Sequence, residues 1–405
     1  MRLLHTSDWH LGRSLHRADL REAQSAFLDA LVETARAERV DAVLVSGDVY
    51  DRAVPPVDAV ALLEDALVRL RATGARVVVT SGNHDSARRL GFGAGLVEGA
   101  GVHLRTRPDG VADPVLLADE HGAVAVYGLP YLEPDAVRAD LPPDPADPSA
   151  PAPRGQEGVV LRAAACARAD LAARGRPRSV VLAHAWVSGG EASESERDIT
   201  VGGVGRVPVT AFDGFTYAAL GHLHGPQVLR DEVRYSGSPL PYSFSEAGHV
   251  KGSWLVELDA RGLARVEHVP APVHRRLSVL RGELDELLCS ARFAEQQSHW
   301  VSAVLTDAAR PEGAFDRLAA RFPHLLTLSW EPSGAAPAGS YRARVAGRSD
   351  VEVAAGFVEH VRRTPATDAE QALLADALAA AARRDAEHVC VDAEPADDVV
   401  AGAVA

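Results

Sequence analysis

Five hydrophobic runs in this sequence each end in residues able to bind a metal ion. Asp8 and His10 close LLHTSDWH, Asp48 closes VLVSGD, and Asn83, His84 and Asp85 close VVVTSGNHD; His184 closes VVLAH, and His222 and His224 close YAALGHLH. Carboxylate, amide and imidazole donors together make mixed oxygen and nitrogen shells, which suit manganese, iron or zinc better than magnesium or calcium. Asp48 follows Gly47 at a strand tip, where a carboxylate can bridge two cations and screen their repulsion, and Asn83 offers a neutral carbonyl oxygen. Asp8 and His10 are two apart, as are His222 and His224, and in extended backbone each pair would point to one side. The chemistry that this set implies is metal-assisted hydrolysis at a two-cation site.

Such a site needs elements that deliver the five run-ends to one edge. Short runs of Val, Leu and Ala bounded by Gly, Ser or Asn read as buried strands of an α/β sheet. In such sheets ligands lie beyond the carboxyl ends of the strands. Strands near 2–6, 42–46 and 76–80 alternate with helices near 19–38 and 57–73, a βαβαβ order that predicts a mostly parallel sheet. In the first helix Ala23, Phe27, Ala30, Leu31 and Ala35 form one buried stripe. Strands near 102–105 and 123–128, a helix at 157–174 and a strand at 179–183 continue the pattern. Residues 215–220, 227–236 and 253–269 read as a strand meander. The eight prolines from Pro130 to Gly155 mark a long surface loop or partly disordered excursion.

Pro270-Ala271-Pro272 marks a domain boundary. Beyond it, strands near 275–281, 300–306 and 325–330 and helices at 283–292 and 312–321 predict a small α+β unit. A linker from Pro332 to Ser340 precedes helices near 349–363 and 367–384, the second opening on a capping box from Thr367 to Glu370. The expected domains are thus 1–270, a capping domain at 271–335, a helical docking segment at 341–385 and an acidic tail at 386–405.

The net charge of −14 argues against a protein coated in nucleic acid. It does not exclude a nuclease, since two divalent cations would add four positive charges where a phosphate docks. Six of those negative charges fall in residues 385–405, which hold no basic residue. No apolar run approaches the ~20 residues of a membrane span, and with the first strand opening without a basic and then apolar stretch no signal peptide is expected. Cys166, Cys289 and Cys390 are an odd, widely spaced set, neither a zinc pattern nor a disulfide framework, so a cytoplasmic location is expected.

DxH, GDxxD, GNHD, a lone strand-end His and GHxH, in that order, closely resemble the motifs of the calcineurin-like metallophosphoesterases over about residues 1–270. DWHLGR (8–13), GDVYDRAVPP (47–56), GHLHGPQ (221–227) and RYSGSPLPYSFSE (234–246) look like the SbcD-type branch, and the likeness continues more weakly past 270. The resemblance implies a β-sandwich flanked by helices, with a small C-terminal α+β capping domain and terminal helices. It puts Asp8, His10, Asp48 and His224 on one cation, and Asp48, Asn83, His184 and His222 on the other. Manganese is the implied ion, and His84 is the implied catalytic residue facing the scissile phosphate.

The same resemblance implies a manganese-dependent DNA nuclease of repair, recombination and replication, an exonuclease on double-stranded ends and an endonuclease on single strands and hairpins. Its partners would be DNA and an SbcC-type ATPase, with the chain as a homodimer inside a heterotetramer, at the nucleoid and without a membrane. This chain itself carries no GxxxxGK[ST] phosphate loop. A phosphatase or cyclic-nucleotide phosphodiesterase on the same core, or a non-catalytic subunit bridging DNA ends, stays open as an alternative.

Around the motifs several residues carry two readings. Arg13, Arg17, Arg52, Arg88 and Arg89 could contact a phosphate backbone or form a solvated face, and the turn Ser236–Pro241 could line the cleft or be structural. Trp9 is expected to point away from its two neighbours and pack. Asp51 is expected to bond the turn, and the other eleven of the sixteen histidines, His5 and His249 among them, to be packed or on the surface.

Overall fold

Runs made almost wholly of Val, Leu and Ala leave a strand no face suited to water, so both faces must be covered. In the computed structural model, which describes residues 1–197, 199, 206–332, 347–362 and 364–389, two six-stranded sheets packed face to face meet that demand. The chain lays down β1 (Arg2–Thr6), α1 (Arg21–Ala37), β2 (Ala42–Ser46), α2 (Val57–Ala72), β3 (Arg76–Thr80) and β4 (Val102–Arg105). It then builds the second sheet from β5 (Val115–Asp119), β6 (Gly122–Leu129), β7 (Arg178–His184), β8 (Tyr217–Gly221), β9 (Gln227–Arg230) and β10 (Val233–Tyr235), with α3 (Gly155–Ala173) between β6 and β7. β11 (Gly252–Asp259) and β12 (Gly262–Pro270) return to the first sheet.

The first sheet has the order β12-β11-β1-β2-β3-β4, with β1 to β4 mutually parallel and the β11–β12 hairpin added antiparallel to β1. The second has the order β9-β10-β8-β7-β6-β5, parallel from β10 to β6 and antiparallel at both edges. Leu3, Leu44 and Val78 of the first meet Val126, Leu182 and Ala219 of the second in the shared core. Phe27 and Leu31 of α1 and Leu63 and Leu70 of α2 cover Val43, Val45 and Val77 on one outer face. Val159, Ala163 and Ala167 of α3 cover Ala125, Tyr127 and Val181 on the other. Burying one such Leu or Val contributes roughly 1.5–3 kcal/mol. The result is a β-sandwich flanked by helices, as expected.

The expected meander from 215 to 269 is corrected. β8 runs parallel to both β7 and β10, and the hairpins β9–β10 and β11–β12 belong to different sheets. Alternation within a strand shows that it is a strand and says nothing about which sheet receives it. The proline-rich stretch is a surface segment pinned down by buried Leu132 and Leu141, with Asp144 3.1 Å from Arg162 of α3.

By its internal packing the chain divides into two compact units, one of residues 1–281, 285–304 and 315–329, the other of 282–284, 305–314 and 330 onward. The first contains both large sheets and most of the three-stranded sheet formed by β13 (Leu277–Gly282), β14 (Trp300–Leu305) and β15 (Leu325–Trp330). In the second, Asp307 accepts from Leu284 N and, through its carbonyl, from Trp330 Nε1. The second also carries α4 (Asp350–Arg362) and α5 (Asp368–Val389). The capping box forms: Thr367 N–H donates to Glu370 at 2.8 Å and Glu370 N–H to Thr367 Oγ1 at 3.4 Å. α5 runs to Val389, and the rest of the expected acidic tail, like most of the linker from Pro332 to Ser340, lies outside the described residues. Among the described residues no helix is long and apolar enough to cross a membrane.

Candidate metal centre

β1 and β2 end side by side, and the loops beyond them stay zipped together. Asp8 N–H donates to Gly47 O (3.0 Å), His10 N–H to Asp48 O (2.9 Å) and Leu11 N–H to Val49 O (2.9 Å). Gln24 of α1 braces this loop from behind, donating to His10 O at 2.9 Å and accepting from Gly12 N–H at 3.2 Å. Asp8, His10 and Asp48 have φ of 53°, 44° and 49°, and His222 has 107°. The expectation of extended backbone at Asp8 and His10 and at His222 is therefore corrected: left-handed turns, not strand alternation, aim these side chains. Left-handed residues other than glycine each cost about 1–2 kcal/mol, and such strain clusters at functional sites. Trp9 points away, as expected, edge-on to Phe27 and donating Nε1–H to Thr6 Oγ1 at 2.9 Å.

Two glycines let the strand ends close on one another. A Cβ on Gly82 would stand 2.1 Å from Asp48 Oδ1, and one on Gly221 would stand 1.9 Å from Ser46 O. Any side chain at either position would drive the ligand-bearing loops apart.

All eight predicted site residues come together. His184 Nε2 and His222 Nδ1 lie 2.9 and 3.1 Å from Asn83 Oδ1. Asp48 Oδ2 stands 3.5 Å from His184 Nε2 and 3.6 Å from His10 Nε2, between the two clusters of donors. His10 Nε2 and His224 Nε2 face each other at 3.1 Å. Three groups of donor atoms lie within 4.8 Å of one another: Asp8, His10 and His224; His10, Asp48 and His84; Asp8, Asp48 and His184. At the roughly 2.0–2.1 Å that imidazole nitrogen keeps from zinc, two ring nitrogens on one cation would stand roughly 2.9–3.4 Å apart, so the 3.1 Å spacing of His10 and His224 suits an ion of that kind.

Each ring has its other edge or its backbone fixed. His184 Nδ1 bonds Ser46 O (2.9 Å), and His84 Nδ1 bonds Asp51 O (2.7 Å), leaving Nε2 of each toward the site. The Asp51 carbonyl, not Asp85, therefore sets the His84 ring. Asp85 instead accepts N–H bonds from Val49 (3.1 Å), Tyr50 (2.9 Å) and Gly82 (2.9 Å), tying the β2 and β3 loops together. Burial and the neighbouring Asp48 push its carboxyl up to about 7. Burial raises Asp8 well above the usual carboxylate range, with the Asp48 charge adding to it. Burial also holds His10 and His222 well below the usual imidazole range and brings His184 to about 4.

Neutral imidazoles and crowded carboxylates are what divalent cations need, since ligands bind deprotonated. Among the described residues buried His10 Nδ1 and His222 Nε2 have no hydrogen-bond partner; they are the ring nitrogens other than those that meet His224 and Asn83, which leaves His10 Nε2 and His222 Nδ1 as the candidate donors. The residues present thus fit a cation pair.

Several supporting residues escaped sequence reasoning. Tyr242 donates to Trp9 O (2.5 Å) and stands edge-on to His10. Ser195, Glu196, Glu246 and Lys251 surround His224. The segment EASESER reads as an ordinary polar loop; Tyr242 and Glu246 lie in the segment 234–246 singled out by its resemblance but given no role there, and Lys251 is the chain's sole lysine. Of the flanking arginines, Arg13 donates to Ser195 O (3.0 Å) and lies over the Tyr242 ring, and Arg89 donates to Ala53 O (3.0 Å). In the Ser236–Pro241 turn, Ser236 Oγ lies 2.7 Å from Ser7 Oγ and Ser238 accepts from Lys251 (2.9 Å), so the turn braces the site from behind.

Residues 1–226 match the family model described as calcineurin-like phosphoesterase. Similar solved structures include a protein of Thermus thermophilus, at 13% identity, covering 66% of this chain and 98% of that one with a TM-score of 0.36. A dimetal phosphatase from Danio rerio is 13% identical, covering 67% of this chain and 99% of that one with a TM-score of 0.36. GAP50, described as the anchor in the inner membrane complex of Plasmodium, is 11% identical, covering 84% of this chain and 99% of that one with a TM-score of 0.37.

Proposed function

The chain belongs to the calcineurin-like phosphoesterase family, and from that premise we propose that it is a manganese-dependent DNA nuclease of the SbcD type. The observation that carries the hydrolytic reading is the convergence of Asp8, His10, Asp48, Asn83, His84, His184, His222 and His224 at the ends of five strands. Asp8, His10, Asp48 and His224 would hold one cation, and Asp48, Asn83, His184 and His222 the other. Once bound, the pair supplies a nucleophile at neutral pH and neutralises charge on the phosphate oxygens. His84, its Nδ1 held by the Asp51 carbonyl, keeps Nε2 free to hold a proton for the departing oxygen.

The choice of DNA over a small phosphoester rests on the segment Arg234–Glu246, which resembles the SbcD-type branch and supplies Ser236, Tyr242 and Glu246 to the centre. Plasmid and hairpin DNA are expected to be cut in manganese, and small phosphomonoesters and cyclic nucleotides to be poor substrates. The opposite preference would sink the nuclease reading and favour the phosphatase or cyclic-nucleotide phosphodiesterase. No cleavage of any of them would favour the DNA-bridging subunit.

An SbcC-type ATPase is the proposed partner, docking on the helices of residues 341–385. Phe357, Val361 and Leu373 there are 57%, 64% and 69% exposed, apolar side chains that a partner could cover. Phe92 and Leu96, each 87% exposed, offer a face for a second copy of the chain. Co-purification with the ATPase is expected in the mass of a heterotetramer and is expected to vanish on deletion of residues 341–405. A complex that survives the deletion would refute this docking.

A further inference from the structure

We infer, resting on the two-cation reading above, that Ser195 is a positioning residue for His224, joining that imidazole to the buried Glu246 carboxylate. Ser195 Oγ stands 2.5 Å from His224 Nδ1 and 2.5 Å from Glu246 Oε1. Direct contact between His224 Nδ1 and that oxygen is 3.5 Å, long for a hydrogen bond. The proton order follows from the chemistry of the three groups. An ionised carboxylate only accepts, so the Ser195 O–H donates to Glu246 Oε1. The hydroxyl oxygen then accepts His224 Nδ1–H. The His224 lone pair is therefore on Nε2, the atom that faces His10 Nε2 at 3.1 Å.

The rest of the arrangement keeps this relay in register. Glu246 is 1% exposed, and its Oε2 accepts from Lys251 Nζ. Lys251 Nζ also donates to His224 O at 2.7 Å, and His224 N–H donates to Glu196 Oε1 at 2.7 Å. Arg13, from the loop that carries His10, donates to Ser195 O at 3.0 Å. His184 provides the contrast: its Nδ1 is held by a main-chain carbonyl, Ser46 O, at 2.9 Å. For His224 the corresponding role falls to a side-chain hydroxyl, which a substitution can remove without touching the sheet. Partners that set a ligand histidine's tautomer and direction are worth about 10- to 100-fold in metal affinity.

The test uses the full chain as wild type, Ser195→Ala and Ser195→Thr. Manganese binding is titrated by the electron paramagnetic resonance of free Mn²⁺, and Tm is measured in chelator. Expected is a pair of sites in the wild type, with one weakened by about 10- to 100-fold in Ser195→Ala. The second site and the chelated-state Tm should be unchanged, and Ser195→Thr should restore binding. Wild-type binding of two cations with equal affinities in Ser195→Ala would refute the inference alone. Equal weakening of both sites with a lower chelated-state Tm would reduce Ser195 to a purely structural role, and Ser195→Thr as weak as Ser195→Ala would exclude the hydroxyl; either overturns the proposal. A wild type that binds no cation pair would remove the two-cation reading, and this inference with it.

Discussion

Asp48→Asn protein is expected to leave purification in manganese with neither cation, and to hydrolyse phosphodiesters on the order of 10³-fold or more slowly. Asp48 is the carboxylate shared by the donor groups on both sides, 3.6 Å from His10 Nε2 and 3.5 Å from His184 Nε2. An amide there has no charge to screen two cations, and its NH2 would face ring nitrogens that must present lone pairs. Cation catalysis supplies several kcal/mol of transition-state stabilisation, and each 1.36 kcal/mol is tenfold in rate.

The metal-free protein should behave in the opposite sense. Burial raises the folded-state pKa of Asp48 above its ordinary value. A carboxyl shifted upward favours the folded state at low pH, and that contribution is lost as pH rises through the folded pKa. At neutral pH the buried charge is thus a liability that asparagine lacks, while Asn Oδ1 can still accept the His84 N–H bond that Asp48 now receives at 2.8 Å. Tm in chelator should equal or exceed that of the wild type, and the rise on adding manganese, which is binding energy, should disappear. Metal analysis showing two retained ions, or a collapse of the chelated-state Tm, would overturn the assignment of Asp48 as a shared ligand.

How far such residues could be read from the chain depends on the range of the interactions that place them. Asp48, Asn83 and His184 were legible because each closes a hydrophobic run: His184 ends its strand, and Asp48 and Asn83 lie two and three residues past Ser46 and Thr80, where a buried strand brings the chain to the sheet edge. Most of the stripe on α1 was legible for the same local reason: Ala23, Phe27, Leu31 and Ala35 are buried where helical spacing puts them, whereas Ala30, expected with them, is only half-buried. Left-handed φ at Asp8, His10 and Asp48 was not, because it arises where two loops zip together across some forty residues of sequence. Ser195 lies 29 positions from His224 in a polar segment whose composition is that of any surface loop, and Glu246, 22 positions away, closes a segment that resemblance marked without assigning it a role. Their role exists only once the turn beyond β10 and the segment after β7 meet. Sheet membership failed in the same way, since the β9–β10 and β11–β12 hairpins carry like alternation yet join different sheets.

His84→Gln should separate binding from chemistry. Its ring stands edge-on to His10 with centroids 4.7 Å apart, and its Nδ1 is committed to Asp51 O. Geometry alone also groups it with His10 and Asp48 as a possible ligand, so the two roles must be told apart by measurement. If it serves the departing oxygen, the variant keeps two manganese ions and the full manganese-induced rise in Tm, while DNA hydrolysis falls by about 10²–10⁴-fold. The loss should shrink on a p-nitrophenyl diester, because a weakly basic leaving group needs little help from a proton donor. A ligand role would instead remove an ion and depress both substrates alike. Full activity on DNA would deny His84 either part.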